Sequence, residues 1–307
     1  MASTGNPISF ELASFDKGDF ATVGSFPRPI QKTVMPVIST HGASFRAVGT
    51  CFAITNTGLV LTAKHVVEEA LGLDERSKLN RETAYPLKWL KVLYANSDTP
   101  GKTSSDVNGG FLDVNKIHFN DNLDLCVMHL NLPRHKDTGK LLPMPVFQID
   151  PDIPAKGSQC VALGYHKMAW LQEEGGWQVI QSFSASRGTV KEVHFPIRDQ
   201  GMLKFPCFET TATYEGGMSG GPILGEQGIV GVVCSNAYGS LIGPALGINV
   251  EFQEGVNFLL EALKNVLILK DQGNDVFQYQ RDQTGLELNF GRMPILRFVL
   301  GNDDTPR

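Results

Sequence analysis

From Met35 onward the chain is a series of short apolar runs broken by Gly, Asn, Asp and Pro. The runs fall at 35–39, 44–55, 58–62, 87–95, 112–119, 124–130, 158–165, 177–184, 187–195, 203–211, 222–225, 229–235 and 245–251. Many are rich in Val, Ile, Phe and Thr, residues that fit a pleated, half-buried surface. So many short strands predict a sandwich or barrel rather than alternating β-α-β units. Two stretches have helical character. One is short, Ala63 to Leu71; the other, 254–270, carries Val256, Leu259, Leu260, Leu263, Val266 and Leu267 on one face. Long surface loops are expected at 73–86, 97–110 and 133–157. Trp170 and Trp177 flank a stretch, Leu171 to Gly176, that reads as a hairpin tip. Residues 1–34 read as an N-terminal arm. Residues 271–307 form an extension with strand-like pieces at 286–290 and 294–300, suited to covering a barrel edge or to meeting a partner.

Composition narrows the function. Of 307 residues, 42% are hydrophobic, enough to bury the core of one large domain or two mid-sized ones. A net charge of −5 argues against a dedicated nucleic-acid binder. No apolar window is long enough for a transmembrane helix. Met1 to Phe20 lacks the basic start and apolar run of a secretory signal. The expected setting is cytoplasmic, with no membrane or nucleic-acid partner. Cys51, Cys126, Cys160, Cys207 and Cys234 are widely spaced, with no Cys-x-x-Cys and no Cys/His metal spacing. They are expected to be free buried thiols in a reducing compartment, and neither metal nor cofactor is expected.

The chemistry concentrates in Glu215-Gly216-Gly217-Met218-Ser219-Gly220-Gly221-Pro222. A serine among four glycines suits a tight turn that exposes a hydroxyl and aims backbone N–H groups at one point. As a bare pattern it also fits a Gly-rich hairpin with an incidental serine. A serine nucleophile needs a base, and all seven histidines, His41, His65, His118, His129, His135, His166 and His194, precede Ser219. The α/β-hydrolase order of Ser, acid, His is therefore impossible. The subtilisin order would need Asp16 or Asp19, in the N-terminal arm. The order His, Asp, Ser remains.

His65 ends the segment Gly49-Thr50-Cys51-Phe52 to Leu61-Thr62-Ala63-Lys64-His65-Val66-Val67. Together with Gly-Met-Ser-Gly-Gly-Pro at Ser219, it resembles the trypsin-like, chymotrypsin-fold serine proteases of the HtrA type. The likeness spans about 45–250. It implies two packed six-stranded antiparallel β-barrels, closed by the C-terminal helix 254–270, within a domain of 35–270 whose halves divide near 133–157. It also implies an acid between the two motifs. Asn122-Leu123-Asp124-Leu125-Cys126-Val127 resembles the family's acid-bearing strand, with Asp121 and Asp113 as weaker candidates. The spacing from His65 to Asp124 is longer than usual in the family, and 97–110 accounts for it as an insertion. His118 and His129 are expected to be structural or surface groups, and Lys64 to face solvent.

By this resemblance Ser219 is the nucleophile, His65 the base, Asp124 its orienting acid, and the N–H groups of Gly217 and Ser219 the oxyanion donors. Met218 stands where secreted relatives carry the aspartate that receives a freed N-terminus, so activation of that kind is not expected. Val66 follows His65 where those relatives carry a cysteine, so the disulfide to Cys51 is not expected either. With some 50 residues after Val250, the PDZ domain that usually follows in the HtrA type is not expected. Thr213 lies at the pocket base, with Tyr214 and Glu215 nearby, while Cys234, Ser235 and Asn236 line the entrance. Thr213 is uncharged and Asn236 replaces an open glycine, so a small or medium uncharged side chain is expected before the cleaved bond. The implied function is a serine endopeptidase acting on polypeptides. Two other readings stay open: a dormant effector whose turn a partner orders, and a protease-fold scaffold without activity.

Overall fold

The computed structural model describes 20–22 and most of 28–242. Within the latter it leaves out 42–44, 74–78, 80, 81–84, 96–108, 120–122, 135–136, 140–143, 148, 151, 174–175, 202 and 227; it also describes 278–282, 285–289 and 295–296. The chain enters as a three-residue strand, β1 (Phe20–Thr22), and a short helix, α1 (Arg28–Thr33). It then builds a closed barrel from β2 (Val34–Ser39), β3 (Arg46–Ala53), β4 (Leu59–Thr62), β5 (Leu90–Ala95), β6 (Gly109–Phe119) and β7 (Cys126–Leu130). The strands close in the order β2-β3-β4-β7-β6-β5. The Asn56-Thr57-Gly58 turn lets β3 fold back on β4, and Thr55 Oγ1 accepts the Leu59 N–H at 3.0 Å to close it. Helix α2 (Lys64–Ala70) follows β4 directly and buries Val66, Val67 and Ala70. Residues Val48 to Ala53 are all buried. β3 fills the barrel on one face and meets the second half of the molecule on the other.

The connection after β7 carries the two-residue strand β8 (Val146–Phe147). A second ring follows: β9 (Gln159–Glu173), β10 (Gly176–His194), β11 (Cys207–Thr210), β12 (Pro222–Leu224), β13 (Ile229–Ser235) and β14 (Tyr238–Leu241). The order β10-β11-β14-β13-β12-β9 closes because β9 also pairs with β10. β1 adds to β10 through Phe20↔Ser186, along an edge that β11 leaves free. The fold is two closed six-stranded antiparallel barrels. Beyond them β15 (Gln278–Asp282) and β16 (Gly285–Asn289) pair as a hairpin, and β17 (Ile295–Leu296) lies parallel to β8. The expected helix 254–270 and strand 245–251 lie outside the described residues.

Three differences from the sequence pattern have physical causes. The runs 177–184 and 187–195 are one strand, β10. Gly188 does not break it; a side chain there would overlap the backbone of Ala212, so the glycine permits close approach. β14 is not foreshadowed by its polar and glycine-containing sequence; pairing with β13 and β11 fixes it. β9 and β10 run well past their apolar runs and pair with each other out to Glu173↔Gly176.

The second barrel's core is built around Phe208, fully buried with Ile223, Val230, Val233 and Leu241. Its ring lies over two glycines. A Cβ on Gly231 would stand 2.5 Å from Phe208 Cε1, and one on Gly239 would stand 2.7 Å from Phe208 Cζ. Gly231→Ala should therefore overpack this core and cost about 1–3 kcal/mol. Phe208→Leu in the same chain should recover part of that loss, read as a non-additive double-mutant cycle in urea unfolding. Additive losses would mean that the ring and the glycine are not coupled.

Candidate active site

His65 owes its position to the junction of a strand and a helix. β4 ends at Thr62, Ala63 stays extended (φ −76°, ψ 144°), and the helix α2 begins at Lys64. β4 pairs with β7 through Thr62↔Cys126, which brings the residues just before β7 alongside the start of the helix. Asp124 is there. Its carbonyl accepts the Lys64 N–H at 3.3 Å. Its Oδ1 accepts the His65 N–H at 3.0 Å, and its Oδ2 lies 2.7 Å from His65 Nδ1. One carboxylate thus holds both the backbone and the ring of the histidine. The His65 side chain is 37% exposed and Asp124 only 13%. Of the other acids considered, Asp113 is exposed on β6 and ion-pairs with Lys91, and Asp121 lies outside the described residues.

Burial acts to lower the His65 pKa, but the charge and hydrogen bond of Asp124 oppose it. With smaller contributions from Glu68 and Glu69, they raise it above the ordinary 6.5. Nothing in the local pattern around α2 singles out these two glutamates. Glu68 is buried on α2, where its Oε1 accepts the Leu79 N–H at 3.1 Å.

The Ser219 segment lies against the same corner. A Cβ on Gly49 of β3 would meet both Val66, the neighbour of His65, and the Ser219 carbonyl, at 2.6 and 2.9 Å. Thr50 N donates to Ser219 O at 2.8 Å, and Gly220 N donates to Val233 O at 2.7 Å. Met218 N closes a turn onto Glu215 O at 3.0 Å. Gly217 has φ +95°, a conformation that a side chain resists, and a Cβ there would stand 2.6 Å from Tyr165 O. Glycine is the residue that this turn admits. Among the described residues, neither Gly217 N–H nor Ser219 N–H donates to a protein acceptor. Met218 is fully buried in the apolar core of the second barrel. It packs on Gly164, whose added Cβ would stand 3.0 Å from the Met218 Cβ.

The residues read as a specificity pocket do not all face it alike. Thr213 is exposed, and its N–H donates to Ser186 Oγ at 3.1 Å. Tyr214 is buried, with its hydroxyl 2.9 Å from Thr210 Oγ1. Its N–H donates to Asn236 O at 2.9 Å, so backbone joins the segment before Ser219 to the end of β13. Cys234 is buried and its thiol donates to Tyr238 O at 3.2 Å; Ser235 is half-buried and Asn236 exposed.

Other candidates have local roles. Lys64 Nζ lies 5.1 Å from the Phe119 ring centroid, and His166 is buried with its Nδ1 2.6 Å from Ser184 Oγ. Trp170, near the base of the β9–β10 hairpin tip, packs against Phe45 and Phe111 of the first half, with centroids 5.3 and 5.9 Å away. The five cysteines are free and buried. Burial pushes their thiols up, Cys160 to about 12 and Cys207 to about 11, so none is poised as a thiolate nucleophile. Glu192, His194 and Glu209 bring potential metal ligands within 4.8 Å of one another, but Lys191 already ion-pairs with Glu209.

The sequence model of the family described as "Trypsin-like peptidase domain" matches residues 49–232. Among solved structures, the crystal structure of Deg5 superimposes with a TM-score of 0.43 and 16% identity, covering 70% of this chain and 86% of that one. The apo MamO protease domain from Magnetospirillum magneticum gives a TM-score of 0.43 and 17% identity, covering 72% of this chain and 97% of that one. No curated protein matches the chain in sequence.

The Asp124 clamp makes the His65 titration a direct observable. Its imidazole should titrate above 6.5 in NMR of the folded protein, because Asp124 favours the charged form. In Asp124→Asn the main opposing charge is lost while burial remains, so the titration should move to lower pH. An unchanged titration would show that the carboxylate is not what raises it.

Proposed function

The chain belongs to the trypsin-like peptidase family, and from that premise we propose that it is a serine endopeptidase with Ser219, His65 and Asp124 as its catalytic groups. The observation that carries the reading is the double hold of Asp124 on His65. With Nδ1–H directed to Asp124, Nε2 is the nitrogen left to accept a proton. Ser219 Oγ attacks the carbonyl carbon of the scissile bond and passes its proton to Nε2. The carbonyl oxygen becomes an oxyanion and accepts hydrogen bonds from Gly217 N–H and Ser219 N–H. His65 then hands the proton to the leaving amine, and an acyl-enzyme remains. Water, deprotonated by the same nitrogen, attacks the ester, and His65 returns that proton to Ser219 Oγ as the acid is released. Every proton moves between protein groups, substrate and water. The five free, buried thiols support a reducing, cytoplasmic setting for this reaction.

The substrate is a polypeptide with a small or medium uncharged residue before the cleaved bond. Two features support this. Thr213 offers no charge to a basic side chain, and the bond from Tyr214 N to Asn236 O ties the segment before Ser219 to Asn236, which stands where the family has an open glycine. Among unstructured peptides, Ala or Val before the cleaved bond should give a higher kcat/KM than Arg, Lys or Phe. A preference for Arg or Lys would overturn this part of the reading.

The functional test is labelling of the purified protein by a fluorophosphonate, which reports an activated serine hydroxyl without a matching peptide. Wild type should label, and both Ser219→Ala and His65→Ala should not. Ser219→Ala should also lower turnover of an unstructured protein by a factor on the order of 10⁶ while keeping the fold. Labelling that persists in Ser219→Ala would defeat the assignment. Labelling only after cell lysate is added would point to a partner-activated effector, and none under either condition to a scaffold.

A further inference from the structure

Thr50 was not singled out by its sequence, yet both its hydroxyl and its backbone N–H bond to the Ser219 turn. It is fully buried on β3, in the seam between the barrels. Its hydroxyl lies 2.8 Å from Gly217 O and 3.0 Å from Tyr165 N. An amide nitrogen can only donate, so Tyr165 N–H takes a lone pair of Thr50 Oγ1. The hydroxyl proton is then directed to Gly217 O. Thr50 N donates to Ser219 O at 2.8 Å, and Thr50 O accepts from Thr62 Oγ1 at 2.7 Å.

These bonds fix the orientation of the turn. The Gly217–Met218 peptide is held at both polar ends, its oxygen by Thr50 Oγ1 and its nitrogen by Glu215 O. The Ser219 carbonyl is held by Thr50 N. With the Gly217 and Ser219 carbonyls bonded to Thr50 and the Met218 carbonyl accepting the Gly221 N–H at 2.9 Å, Gly217 N–H and Ser219 N–H remain without protein acceptors among the described residues. Gly217 at φ +95° is compatible with more than one backbone arrangement, so its own conformation does not select this one.

We propose that Thr50 is a positioning residue, whose buried hydroxyl holds the Gly217–Ser219 turn with both N–H groups presented to a substrate oxyanion. The proposal rests on the endopeptidase reading for its catalytic consequence, but the turn geometry it describes can be read without turnover. Thr50→Val keeps the size and removes the hydroxyl. Thr50→Ser keeps the hydroxyl and removes the methyl.

Two readouts on these variants test it. In Thr50→Val, the Gly217 and Ser219 amide resonances should shift and broaden relative to wild type. Its kcat should fall about 10²-fold with KM held within about two-fold, as misplacement of catalytic groups without loss of binding requires. Thr50→Ser should keep both readouts near wild type. Should Thr50→Val fail to fold, Thr50→Cys, with a weaker donor of similar size, carries the same test and should fall between the two. A folded variant without the hydroxyl but with unchanged amides and kcat would overturn the proposal, reducing Thr50 to a packing residue. Perturbed amides in a protein whose wild type shows no Ser219-dependent turnover would uphold Thr50 and defeat the endopeptidase reading instead.

Discussion

Thr50 Oγ1 gives its hydrogen to Gly217 O and takes one from Tyr165 N. The three groups come from β3 of the first barrel, β9 of the second, and the turn before Ser219. Thr50 and Tyr165 are buried and Gly217 is half-buried, and a buried amide or hydroxyl left unpaired costs about 1–3 kcal/mol. Each partner therefore constrains the others. The first barrel cannot shift against the second without breaking bonds at the turn, and the turn cannot flip without stranding Thr50. The docking of two halves and the shape of a few residues become one problem with one solution.

A second constraint acts at the adjoining corner. Asp124 spends both carboxylate oxygens on His65, one on its backbone and one on its ring. Burial alone would favour a neutral imidazole, but the nearby carboxylates tip the balance toward the charged form. A base held this way is well suited to receive a proton, since the charge that develops on it is already compensated. Asp124 sits at the approach to β7 and His65 at the exit from β4, so the pairing of those strands sets the distance between them.

Met218 shows how the turn is held without an ion pair. The position is wholly buried, and the side chain packs among Cys160, Ala162, Ile223 and Val233. An apolar anchor here needs no counter-charge to become buried, and so no freed N-terminus to supply one. Order in the turn comes from packing beneath it and from hydrogen bonds beside it.

Local pattern determined much of this. Short runs of Val, Ile and Phe between turn residues specified strands and narrowed the architecture to a sandwich or barrel, because side-chain alternation and chain reversal are set within a few residues; the two barrels were implied by the family resemblance. The chain order of His65, Asp124 and Ser219 is a property of the sequence, and it was the resemblance of their flanking motifs that singled them out. What lies across the seam was not. Thr50 is one threonine among several in strands, and only the docking of β9 and the Ser219 turn against it turns its hydroxyl into a junction. The continuity of β10 through Gly188, the pairing of β14, and the contributions of Glu68 and Glu69 beside His65 were likewise decided by tertiary structure. Each depends on residues distant in sequence meeting at a few ångströms, a distance that local periodicity does not encode.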